Sequence, residues 1–124
     1  MKKEVIVADK VHKGFVHAIK TGDTIYVMGQ GPIDENGNIV GSGDVVVQTE
    51  CAIENVRQIL EAAGADLRDV VNQTIYIKHF EDRYKVVRAL GKKFGGHQAP
   101  GALVVVDSLF DETVLIEIQC VAVV

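Results

Sequence analysis

The spacing of apolar residues changes several times along the chain, and each change predicts an element. From about Asp44, the positions Val46, Thr49, Ile53, Val56, Leu60 and Ala63 recur every three or four residues, which is one apolar face of a helix. Asp44 carries an N-cap side chain, and Gly64 suits the left-handed position that closes a helix. A second helix runs from about Asp82 to Phe94, with Val86, Leu90 and Phe94 at intervals of four and Gly95-Gly96 ending it. Elsewhere the pattern is that of strands. Residues 4–8 and 14–20 are short extended segments, and Thr21-Gly22-Asp23 turns the chain into the β-branched run Thr24-Ile25-Tyr26-Val27-Met28. Gly29-Gln30-Gly31-Pro32 interrupts that run, and an Asn-Gly turn follows within 34–38.

Residues 70–78, 102–106 and 114–124 complete the strands. In the last of them Val114, Ile116, Ile118, Cys120, Ala122 and Val124 make one wholly apolar face. The opposite face mixes Leu115, Val121 and Val123 with Glu117 and Gln119, a composition that suits a subunit contact or a cleft better than a sealed core. The order strands, helix, strand, helix, strands predicts an α+β domain, a mixed sheet with two helices on one face. Two helices leave the other sheet face apolar and open, so self-association is expected.

Composition narrows the function. The chain of 124 residues is one domain's worth, and its net charge of −4 from 13 basic and 17 acidic residues is the wrong sign for a nucleic-acid binder. No nucleic acid and no membrane partner is expected, since the longest apolar runs fall far below the roughly 20 residues of a membrane span. Cys51 and Cys120 are too far apart for a CxxC motif and read as small hydrophobes in a reducing cytosol. Four His at 12, 17, 79 and 97 show no metal-ligand spacing, and no nucleotide-binding loop or nucleophile elbow is present. No metal and no organic cofactor is expected.

The segment Thr24-Ile25-Tyr26-Val27-Met28-Gly29-Gln30-Gly31-Pro32-Ile33-Asp34 resembles the IYVSGQxPxD stretch of the Rid (YjgF) family. Gln48, Thr49, Ala52, Asn55 and the run Ile59-Leu60-Glu61-Ala62-Ala63-Gly64 are similar to that family's QTxxAxxNxxxILxAAG helix. Asp69-Val70-Val71 and residues 116–123 match its later signatures, so the likeness extends from about Gly14 to the end. It implies a chorismate-mutase-like single domain over 1–124, assembled as a homotrimer with small-molecule clefts between subunits. It also implies cofactor-free hydrolysis of enamine or imine acids to 2-oxo acids and ammonia, with an Arg gripping the substrate carboxylate through paired hydrogen bonds.

Several side chains differ from that pattern. Ala102, in Pro100-Gly101-Ala102, stands at the place of the Arg; Met28 replaces a Ser, Phe15 a Tyr, Gln119 a Glu and Val87 an Asn. Each charged hydrogen bond lost with the guanidinium is worth roughly 1.5–3 kcal/mol. The substrate-binding set is therefore expected to be Phe15, Met28, Gly29, Gln30, Ala102 and Val104, with main-chain contacts at the Gly29 amide and the Val104 carbonyl. His17, on the same strand parity as Phe15, is a candidate proton shuttle, and Gln119 a candidate orienting group. A packing role for His17 and an interface amide for Gln119 are the competing readings. Two functions follow: a hydrolase of C–N bonds with a rebuilt site, or a module that binds a small, mostly apolar metabolite without catalysis.

Overall fold

A computed structural model of the chain describes residues 2–124. Its strands are β1 (Lys3–Ile6), β2 (Ala18–Thr21), β3 (Thr24–Gln30), β4 (Val70–Ile77), β5 (Gly101–Val105) and β6 (Ile116–Val123); its helices are α1 (Val45–Ala62) and α2 (Arg83–Phe94). The strands form one sheet in the order β1-β2-β3-β6-β4-β5. Among the described residues only the β4–β5 pair is parallel, and α2 is the crossover that such a pair requires.

Both helices lie on one face. Ile25 and Val27 of β3, Ile116, Ile118, Cys120 and Ala122 of β6, and Ile75 and Ile77 of β4 meet Ala52, Ile53, Val56, Ile59 and Leu60 of α1. Val86, Leu90 and Phe94 of α2 complete this core. Burial pushes the Cys120 thiol up to about 12, and both cysteines are free. Asp44 caps α1 as its side chain predicts, accepting the Val46 and Val47 amides at 3.1 Å. At the first turn the inward residue is Val45 rather than Val46, which is 37% exposed. Among the described residues no helix is long and apolar enough to cross a membrane.

The polar members of the α1 pattern are structural ties. Gln48 is fully buried; its Nε2 donates to the Val40 and Thr113 carbonyls at 3.2 and 2.8 Å, and its Oε1 accepts the Leu115 amide at 2.7 Å. Thr49 returns its hydroxyl to Val45 O at 2.7 Å. Asn55 donates to the carbonyls of Gly31 and Ile33, at 3.2 and 2.9 Å. One helix face thereby fixes the loops that leave β3 and enter β6.

The second sheet face is open, as two helices cannot cover both. Cross-strand register places Val5, Ile19, Tyr26 and Val121 in one row of that face, Gln119, Thr74 and Ala102 in a second, and Glu117, Tyr76 and Val104 in a third. Val5, Tyr26, Gln119, Ala102 and Val104 are exposed there.

The expected strand over 14–20 begins only at Ala18. Gly14 takes φ +97°, and residues 13–15 bend, so the segment before β2 folds across the end of the sheet and buries Val11 and His12.

Candidate functional site

A cavity of about 310 Å³ opens where that bent segment, the end of β3 and the start of β6 converge. Its walls are His12, Phe15, Met28, Gly29, Gly31, Ile33, Phe110 and Glu117. The volume suits a small metabolite.

A bulge builds the wall. Val27 pairs with Cys120 and Gln30 with Ile118, so two residues, Met28 and Gly29, stand opposite Gln119 alone. The bulge brings Gly29 under the side chain of Glu117. A Cβ at Gly29 would collide with Glu117 Oε2, and one at Gly31 would meet Phe110 Cε1 at 2.7 Å. Glycine at both places lets a carboxylate and an aromatic ring lie directly on the strand backbone.

Glu117 is half-buried among apolar neighbours. Burial alone pushes its carboxyl above the ordinary value, with no nearby cation opposing. The ion pairs of the described residues lie elsewhere: Arg57 with Glu54 and Glu61 on α1, and Arg68 with Asp66. The other titratable wall residue, His12, is buried edge-on to Phe15 at 5.0 Å between ring centroids. Burial first, and then the neighbouring His17, hold the His12 ring below the usual imidazole range; the Gln30 side chain partly opposes them. A carboxylic acid raised and an imidazole lowered around one cavity is the environment in which acid–base chemistry at neutral pH is set up.

The raised Glu117 value has a consequence for stability. A carboxyl that binds its proton more tightly folded than unfolded makes stability fall as pH rises from the ordinary carboxylate value through the raised one. Glu54, Asp66 and Asp111 are held below their ordinary values, so their contributions run the other way and are lost on acidification. Subtracting the stability of Glu117→Gln from that of the parent across a pH series of urea denaturations cancels those groups. The difference is expected to move against the parent as pH rises. A flat difference would mean that Glu117 is solvated like a surface acid.

The expected site residues divide sharply. Phe15, Met28 and Gly29 line the cavity together. His17 does not. It is fully buried, its Nδ1 accepts the Ala8 amide at 2.9 Å, and its Nε2 then carries the proton donated to His12 O at 2.8 Å. Both nitrogens are engaged by main chain, and the parity linking it to Phe15 fails because the intervening backbone bends instead of extending. Phe15 is 51% exposed at the cavity mouth. Gln30 also lies behind the wall, on the helix side opposite Ile118, with Nε2 donating to Met28 O at 3.2 Å. Its Oε1 is near enough to favour a protonated His12 but outside hydrogen-bond geometry.

Gln119, Ala102 and Val104 sit on the open sheet face and do not line the cavity. Ala102 and Val104 are two strands away from Gln119 and Glu117, roughly 10 Å. Of the remaining wall residues, the sequence places Glu117 on a strand face suited to a cleft but gives it no chemical role, and it does not single out His12 or Phe110 for the site. For Glu117 a signal was present: it shares strand parity with Gln119. Nothing in the local pattern points to Phe110. Among the described residues no group of three or more His, Cys, Asp or Glu is placed to hold a metal ion.

Residues 6–124 match the family model described as Endoribonuclease L-PSP. A RutC family protein of Pyrococcus abyssi is 43% identical over 126 residues, covering 98% of each chain. The 3-aminoacrylate deaminase RutC of Acinetobacter baylyi is 32% identical over 125 residues, again with 98% of each covered. Among solved structures, the Rid protein YyfA of Yersinia pestis superposes with a TM-score of 0.91 at 27% identity, covering 99% of this chain and 100% of that one. A match over nearly the whole chain, joined to this sheet order and this helix motif, leaves one assignment: the chain belongs to the Endoribonuclease L-PSP family, the Rid (YjgF) group that its sequence resembles.

Proposed function

We propose that the protein binds a small C–N metabolite in the Glu117 cavity and hydrolyses its enamine or imine form, releasing ammonia. The observation that carries this reading is the half-buried carboxylate of Glu117 set among Phe15, Met28, Ile33 and Phe110, without a cation to neutralise it. The deaminase name of the RutC relative supports it.

In the imine form the step is R–CH=NH + H2O → R–CHO + NH3. Glu117 takes a proton from water as the oxygen bonds to the imine carbon and passes it to nitrogen, giving a carbinolamine. It then takes the hydroxyl proton as the C=O bond forms and delivers it to nitrogen as the C–N bond breaks, so both protons of the water leave with ammonia. The apolar walls keep bulk water away from the carboxylate and strengthen its pull on that proton. The residues themselves supply the acid and the base.

Ala102 favours a second reading, a binding protein without catalysis, because an alanine offers no grip on a substrate carboxylate. The two readings separate in one assay. An amine oxidase generates an imine from a primary amine, semicarbazide traps what survives, and decay is timed with and without the protein. Acceleration is expected. Saturable ligand binding with no acceleration would leave only the binding role.

We further propose that the open sheet face closes by association into a homotrimer. Val5, Tyr26 and Val104 are large apolar residues exposed on it. Sedimentation equilibrium at micromolar concentration is expected to return three times the chain mass; a monomer would remove the intersubunit cleft from the proposal.

A further inference from the structure

The chemistry of the cavity bears on which C–N compounds it accepts, and the inference rests on the binding and deamination proposed above. An anionic head seated beside Glu117 would face a like charge inside a partly desolvated pocket, where repulsion is screened far less than in water. No Lys or Arg is among the wall residues. Lys78, just after β4, is not a wall residue and donates to Glu112 O at 3.0 Å. His12 is buried and disfavoured as a cation. Ala102 brings no guanidinium to the open face.

The same features favour the opposite head. Glu117 offers oxygen acceptors for N–H groups, and the aromatic faces of Phe15 and Phe110 attract positive charge as well as apolar bodies. Met28 and Ile33 complete an apolar lining that adapts to a ring or branched chain. We infer that the cavity selects carboxylate-free C–N compounds, imines and iminium or amidinium ions on an aromatic or branched apolar body, with Glu117 accepting their N–H. The selectivity is set by repulsion of a carboxylate as much as by attraction of nitrogen.

The test uses matched probes on the intact protein. Benzamidine and benzoate share a ring and differ in the sign of the head, and their affinities are read by isothermal titration. Benzamidine is expected to bind at least about tenfold more tightly, and Glu117→Gln to weaken it by about tenfold or more while tightening benzoate. In turnover, the imine that a flavin amine oxidase makes from benzylamine is expected to decay faster with the protein than the 2-imino acid that an amino-acid oxidase makes from phenylalanine. Benzoate binding as tightly as benzamidine, or preference for the imino acid, would overturn the inference and place a cation from a neighbouring subunit at the cavity.

Preference for benzamidine with neither imine accelerated would retain the ligand class and sink the deamination. Acceleration confined to the imino acid would do the reverse. Should Glu117→Gln fail to fold, the ratio of the two affinities in the parent protein still decides.

Discussion

Glu117→Gln is expected to slow imine hydrolysis by about 10²- to 10⁴-fold, the range over which a positioned acid–base group contributes. The substitution conserves size, so the contact over Gly29 persists and the cavity keeps its walls. What goes is the capacity to hold a proton and give it back. The loss should fall on kcat, with KM changing by the smaller factor expected for one N–H contact. The pH profile of the parent supplies a second reading. Because burial raises the carboxyl, activity is expected to climb with pH through a range above the ordinary carboxylate value, where the base becomes ionised. A variant retaining more than about a tenth of the parent rate would show that water attacks without this carboxylate.

Replacing Gln48 by Met is expected to cost about 3–5 kcal/mol, the largest single loss of stability foreseen. The thioether fills nearly the same volume, so little of the loss comes from a void. It comes from the Val40 and Thr113 carbonyls and the Leu115 amide, which the glutamine satisfies and which stay buried when it is gone. Against a total stability of 5–15 kcal/mol for an ordinary domain, that is a drop in melting temperature on the order of 10 °C. Thermal denaturation at one fixed protein concentration checks it, since association also adds to apparent stability. A shift within about 0.5 kcal/mol would mean that water reaches these groups readily and that the amide is dispensable.

The two residues were unequally legible. Gln48 and Asn55 are visible in the sequence as part of a helix motif, but their partners, at Val40, Thr113 and Leu115 for one and at Gly31 and Ile33 for the other, lie outside the helix, between 8 and 67 residues away. For His17 the sequence leaves two roles open, proton shuttling, because imidazole is the side chain that titrates near neutrality, and packing. The fold spends both of its nitrogens on main chain, and the proton chemistry proposed above rests instead on a carboxylate two residues from Gln119.

Periodicity determined both helices, the buried face of β6 and the sheet face left open, because these depend on neighbours three, four or two residues apart. The family followed from motifs of the same local kind. Only the tertiary structure decided the cavity. Its walls come from the bend near Gly14, the bulge at Met28–Gly29, the loop holding Phe110 and the strand holding Glu117, distant segments whose meeting is set by sheet register and by the absence of two Cβ atoms. A bulge shifts which side chains share a face, and a like or unlike charge matters only once burial has stripped it of water. Neither quantity exists until the strands are paired.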